Sequence, residues 1–167
     1  MQYDFQCSNS SLRSVSAYTL HTWANLSNFA PHPFTFDGVE CASMEGFLQS
    51  LKFSNPEMQI YVCTLVGIKA KHKGKHKNWY RDQTLYWKGM PIKRDSEAYQ
   101  ILLNRAYNQL NKNPGFRSAL LATNKATLTH SVGKHDIHHT VLTVQEFCSR
   151  LTYLRDVGDL PETPAKV

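Results

Sequence analysis

Ser43-Met44-Glu45-Gly46-Phe47-Leu48-Gln49-Ser50-Leu51-Lys52-Phe53 decides how this chain folds. Ser43 is an N-cap residue, whose side-chain oxygen accepts one of the unpaired N–H groups of a first helical turn. Met44, Phe47, Leu48 and Leu51 follow at i, i+3, i+4 and i+7, the spacing of a buried helical stripe. Glu45, Gln49 and Lys52 form a separate polar stripe on the same helix. Glu45 stands in the first turn, where the macrodipole favours an ionised carboxylate. It is therefore a candidate general base, although decoration of a helix start explains the same acid.

Upstream, Tyr18 to Trp23 reads as a strand, followed by the amide-rich loop Trp23-Ala24-Asn25-Leu26-Ser27-Asn28-Phe29-Ala30-Pro31. Pro33 to Cys41 reads as a hairpin turning at Asp37-Gly38, with Phe34, Phe36, Val39 and Cys41 alternating about a core. Downstream, Asn55-Pro56-Glu57 opens a second helix from Pro56 to about Leu65, with Tyr61, Leu65 and Ile68 facing inward. Thr84 to Lys93 is a hairpin turning at Lys88-Gly89, and Asp95-Ser96 opens a long helix ending near Asn111. Its inner face is Tyr99, Leu102, Leu103, Ala106 and Leu110. A short helix runs from Asn113-Pro114 through Leu121, then a strand from Ala126 to Ser131 and a loop from Val132 to Thr140. Thr143-Val144-Gln145-Glu146 is a capping box opening a last helix towards Arg155. Early strands and later helices predict an α+β fold, a single mostly helical domain with a small sheet or hairpins spanning residues 1–157. Residues 158–167, with two prolines and little to bury, read as a flexible tail.

The 167 residues, 41% hydrophobic, suffice for one sizeable core. No apolar run is long enough to span a bilayer and no secretory signal is visible, so no membrane partner and a cytoplasmic location are expected. Cys7, Cys41, Cys63 and Cys148 are scattered and read as reduced thiols. A net charge of +6 implies attraction to anions. Lys69, Lys71, Lys73, Lys75 and Lys77, with His72 and His76, lie in one stretch ending at Asn78-Trp79. Either this is a solvated basic loop or it binds an anion. Trp79 beside ammonium groups suits a ligand that combines an aromatic base with phosphates, and it equally suits a core position. Asn25, Ser27 and Asn28 can hydrogen-bond a ribose or base edge, and also simply make a turn. His135, Asp136, His138 and His139 lack metal-ligand spacing, so no metal and no cofactor are expected. P-loop, dinucleotide-binding and nucleophile-elbow motifs are absent.

Asn25-Leu26-Ser27-Asn28-Phe29-Ala30, the Phe36-Asp37-Gly38 turn and Ser43 to Phe53 together resemble the signature region of the NADAR family, which includes YbiA-like N-glycosidases. Ala70-Lys71-His72-Lys73-Gly74-Lys75, Asn78-Trp79 and Phe116 to Thr123 continue the likeness, which covers roughly residues 23 to 155. The resemblance implies an α+β domain that hydrolyses the ribosyl C1′–N bond of an ADP-ribosylated or ribosylated nucleotide, free or attached to nucleic acid or protein. It implies catalytic roles for Glu45, Trp79 and Asp136. Asn25, Ser27, Asn28, Phe29, Lys52, Lys71 and Lys75 are carried over as substrate contacts. The chain departs from the pattern at Gly46, where the family has histidine, and at Ile137 to Thr143, where His138 or His139 stands in for other polar groups. Two alternatives stand beside the hydrolase: a noncatalytic reader of ADP-ribose or NAD, and a basic nucleic-acid-binding protein.

Overall fold

In the computed structural model, the backbone of residues 5–8 and residues 24–164 are described. The strand expected from Tyr18 to Trp23 lies outside them. Helix α1 (Met44–Ser50) is the centre of the molecule, and every one of its residues is buried. The Ser43 hydroxyl closes its N-terminus, accepting from the Gly46 N–H at 3.0 Å while donating to the Leu65 carbonyl at 2.9 Å. Strands β2 (Phe34–Phe36) and β3 (Val39–Cys41) form the expected hairpin, with Asp37 and Gly38 both at positive φ (47° and 78°). That double left-handed turn matches the twist of the flanking strands. Their inner residue Phe36 meets Phe47 of α1 at 5.1 Å between ring centroids, and Phe47 meets Trp87 at 5.2 Å.

Helix α2 (Pro56–Cys63) is capped by Asn55, and α3 (Gly67–Gly74) follows it; both pack on α1. Strands β4 (Thr84–Trp87) and β5 (Met90–Lys93) form a second hairpin, again with two positive-φ residues, Lys88 and Gly89. Helix α4 (Glu97–Leu110) buries Tyr99, Leu102, Leu103, Ala106 and Leu110 as its periodicity requires. Helix α5 (Pro114–Ala122) leads to β6 (Thr127–His130), which pairs antiparallel with β1 (Phe5–Ser8). Helix α6 (Val144–Asp156) starts at the Thr143/Glu146 capping box. The described residues thus form an α+β domain of six helices and three two-stranded sheets. None of its helices is long and apolar enough to cross a membrane. Cys41, Cys63 and Cys148 are free thiols.

Three expectations need correction. Lys69, Lys71 and Lys73 of the lysine-rich run lie on helix α3 rather than in a loop, with Lys75 and Lys77 just beyond its end; the buried residues of α3 are Ala70 and Gly74 alone, so no apolar stripe advertises it. On α2, Gln59, Val62 and Cys63 face inward, while Tyr61, and Ile68 on α3, are half exposed. Gln59 outcompetes the apolar residues because its amide is fully used: it donates to the Tyr86 carbonyl at 2.7 Å and accepts from the Gly89 N–H. Residues 160–162 of the tail are docked, since Leu160 is buried, Asn108 pairs with both its N–H (2.8 Å) and its carbonyl (3.0 Å), and Asn104 and Asn108 bond Pro161 and Glu162.

Gly46 is a packing requirement. A Cβ there would lie 2.5 Å from the Leu65 carbonyl oxygen and 3.0 Å from that of Cys63, both rigid backbone atoms. A histidine at this position has no room. Gly46→Ala is expected to lower stability by about 1–3 kcal/mol, or the melting temperature by roughly 2–12 °C. A melting curve superimposable on wild type refutes that close approach.

Candidate functional site

The loop of residues 24–30 is tied to the start of α1: the Asn28 carbonyl accepts the Glu45 N–H at 2.9 Å, and the Ser27 hydroxyl accepts the Phe29 N–H at 3.2 Å. Next to this junction lies a cavity of about 500 Å³, within the size range of small-molecule sites. Ser27, Asn28 and Phe29 line one side; Glu45, Leu48, Gln49 and Lys52 come from α1 and the turn after it. Helix α3 adds Ile68, Lys71, His72 and, just beyond its end, Lys75, and Trp79 follows from a short 3-10 turn. The facing wall is the segment from His130 to Val144, with Phe147 of α6 behind it.

The structure therefore brings together Glu45, Trp79, Ser27, Asn28, Phe29, Lys52, Lys71 and Lys75. Two of the candidates lie elsewhere. Asp136 is exposed and caps a 3-10 turn, accepting the His138 N–H at 2.9 Å; local turn chemistry explains this acid. Asn25 is exposed, and its carbonyl bonds the His32 ring at 2.7 Å. Trp79 satisfies both of its readings, being 8% exposed within the core cluster and also lining the cavity.

Among the described residues, Glu45 is the one carboxylate of the lining, facing the ammonium groups of Lys52, Lys71, Lys75 and Lys134. Burial pushes its carboxyl above the usual range; the Gln49 hydrogen bond (Nε2 to Oε1, 2.9 Å) and the charges of Lys71 and Lys52 partly offset this. Burial likewise lowers Lys52 to about 8, against the opposing pull of Glu45. Lys52 donates to the Gly74 carbonyl at 3.4 Å, and Gly74 packs directly on the Gln49 amide, where an added Cβ would lie 2.0 Å from Oε1 and displace that side chain. Lys71 lies over the Phe29 ring at 5.5 Å, joining the two halves of the rim. Burial and the Lys71 charge hold His130 below its usual value, so its ring is neutral at neutral pH. The arrangement can desolvate a ligand, neutralise several negative charges and present one carboxylate more basic than an exposed one.

Sequence reasoning pointed to the segment from Ile137 to Thr143 but missed Gln49 as a partner of Glu45, and it missed His130, Lys134 and Phe147. The available signal was the length of the loop after β6, since long ordered loops on rigid scaffolds carry sites. That wall is held from beneath: Arg94 Nε donates to the Thr140 carbonyl at 2.8 Å and Tyr99 to the Val141 carbonyl at 2.6 Å. His139 lines the cavity, whereas the His138 carbonyl and ring face Gln83.

A known protein similar to this chain comes from a bacteriophage. A 17.1 kDa protein of enterobacteria phage T4, described as an uncharacterized protein in the Gp30-rIII intergenic region, is 40% identical over 137 residues, covering 78% of this chain and 88% of its own length. No solved structure matches the chain. The family described as bacteriophage protein GP30.3 matches residues 21–156. That span takes in the 24–30 loop, all of α1 and α3, and the His130 to Val144 wall, so the whole cavity lies within it: the chain belongs to the bacteriophage GP30.3 family.

Proposed function

We propose that this protein is an N-glycoside hydrolase that cleaves the ribosyl C1′–N bond of an ADP-ribosylated or ribosylated nucleotide in the cytoplasm of an infected bacterium. The observation that carries the reading is a buried carboxylate, Glu45, sharing one ligand-sized cavity with Trp79 and four lysines. The NADAR resemblance supports the same residues, and the phage relative supports the setting.

In this scheme the C1′–N bond breaks with its electron pair leaving on nitrogen, and the ribosyl carbon becomes oxocarbenium-like. Glu45 stabilises that charge and takes a proton from the water whose oxygen attacks C1′, each effect worth about 10²–10⁴-fold. Gln49 orients the carboxylate, and His139 on the facing wall, in its imidazolium form, donates its proton to the departing nitrogen; the proton left on Glu45 restores it through solvent. Lys52, Lys71, Lys75 and Lys134 hold phosphates, and Trp79 stacks on the base.

Mass spectrometry of products from NAD, ADP-ribose, and ADP-ribosylated DNA, RNA and protein tests the proposal. Ribosyl product from wild type and none from Glu45→Gln supports it; no turnover of any of these substrates overturns it. Gly46 and the altered wall from Ile137 to Thr143, both departures from the hydrolase pattern, favour a second reading as a noncatalytic reader. A reader retains ADP-ribose with or without the Glu45 charge and releases no product.

The two perturbed groups set the pH dependence. Activity is expected to rise as Glu45 ionises, with an onset above that of an ordinary carboxylate. Affinity for ADP-ribose should fall as pH passes about 8, where Lys52 loses its charge. An affinity that stays flat to pH 10 removes Lys52 from the phosphate contacts.

A further inference from the structure

Asn28 makes a second contact that the hydrolytic scheme does not use. Its Oδ1 accepts the hydroxyl of Tyr107 at 2.8 Å. Tyr107 lies on α4, fully buried in the core, and does not line the cavity. A carboxamide has one end that only accepts and one that only donates. A phenol proton in an apolar core needs an acceptor, and the Asn28 Oδ1 supplies it. Turning the amide over would strip that proton of its partner, so Tyr107 dictates which end of Asn28 faces inward. Burial raises the phenol above its ordinary pKa, which keeps it a donor at any working pH.

The other end, Nδ2, is thereby left over for a second partner, on a residue that lines the cavity next to Glu45. We propose that Tyr107 is a positioning residue that locks the Asn28 carboxamide, so that Nδ2 is a fixed donor to an acceptor oxygen of the bound ligand. The inference rests on the reading of this cavity as a ribosyl-ligand site, and it adds a specificity-determining pair to it. Asn28 also accepts the Glu45 N–H through its backbone, so the donor and the carboxylate are held in one frame. A ligand must therefore offer an acceptor oxygen at a set place relative to the bond that Glu45 attacks.

Calorimetric titration of ADP-ribose into wild type, Tyr107→Phe, Asn28→Ala and the double variant tests this, with melting temperatures and the NMR signals of the Asn28 side-chain amide recorded in parallel. Tyr107→Phe removes one hydroxyl and keeps the ring packing, so it should remain folded. Affinity is expected to fall about 5-fold in Tyr107→Phe and about 10-fold in Asn28→Ala. The double variant should be no weaker than Asn28→Ala, because Tyr107 acts only through Asn28. In Tyr107→Phe the two amide protons of Asn28 should exchange faster with solvent. A merely structural tyrosine lowers the melting temperature and leaves the affinity and the amide signals unchanged, and that result overturns the assignment alone. Additive losses in the double variant overturn it too. A wild type that binds no ADP-ribose at all overturns the ribosyl-site reading and this inference together.

Discussion

Glu45→Gln is expected to reduce ribosyl product release by about 10²–10⁴-fold while making the protein more stable at neutral pH. Both effects follow from the same burial. The side chain is 8% exposed on the central helix, and desolvation outweighs the Gln49 hydrogen bond and the nearby lysine charges, raising the carboxyl's folded-state pKa. For a group raised on folding, the associated stability is full at low pH and is lost as pH rises through the folded value. At neutral pH the wild type therefore carries a penalty that an uncharged glutamine escapes, and Gln49 can still donate to the new side chain. The gain should be about 1 kcal/mol, or roughly 2–4 °C in melting temperature, at pH 7, and it should vanish at acid pH. Melting curves of both proteins between pH 4 and 8, run beside the product assay, check the pair of effects. A variant that is less stable at pH 7, or equally active, removes Glu45 from the centre of the scheme.

The second large effect is expected at Arg94, outside the cavity. Its side chain is completely buried and makes a bidentate pair with Glu146, at 3.0 Å and 2.6 Å, while its Nε holds the Thr140 carbonyl. Burial alone would raise the Glu146 carboxyl, but hydrogen bonds from Arg94, the Thr143 N–H and Gln100 bring it below the usual range. That sign means the pair contributes stability above the unfolded carboxylate pKa and loses it as pH falls through the folded value. Arg94→Met leaves a carboxylate at the capping box without its main partner. The expected loss is about 3–5 kcal/mol, or roughly 10 °C or more in melting temperature. Arg94→Met combined with Glu146→Gln should recover much of it, because the unpaired charge is gone. The Thr140 to Thr143 wall is released in either variant, so ADP-ribose affinity should drop even where the protein is folded. Thermal denaturation of the three proteins decides this, and an Arg94→Met protein within 1 kcal/mol of wild type contradicts the network.

Local chemistry was legible wherever a side chain satisfies its own backbone. Ser43, Asn55, Ser96, Asn113 and Thr143 cap helices as their spacing predicts, each accepting an N–H two or three residues on. Asp37-Gly38 and Lys88-Gly89 turn hairpins because both positions of each pair tolerate positive φ. Helix α3 escaped such reasoning for identifiable reasons: Val66 provides no side-chain cap, and only Ala70 and Gly74 are buried. Small residues that allow close approach leave no hydrophobic period. Asp136 was misleading for the opposite reason, since an acid that caps a turn looks the same in sequence as one aimed into a cavity.

By itself the sequence determined every described α-helix but α3, the two hairpins, the α+β class and the placing of a carboxylate in the first turn of α1, since these depend on residues within a few positions of one another. Only the tertiary structure decided that the Glu45 and Gln49 stripe is buried rather than solvated, and that Lys134 and His139 face Lys71 and Trp79 across one cavity. It also decided that Tyr107, 79 positions away along the chain, holds Asn28. Burial and long-range hydrogen bonds depend on how helices pack, and a local pattern of residues does not encode which faces meet.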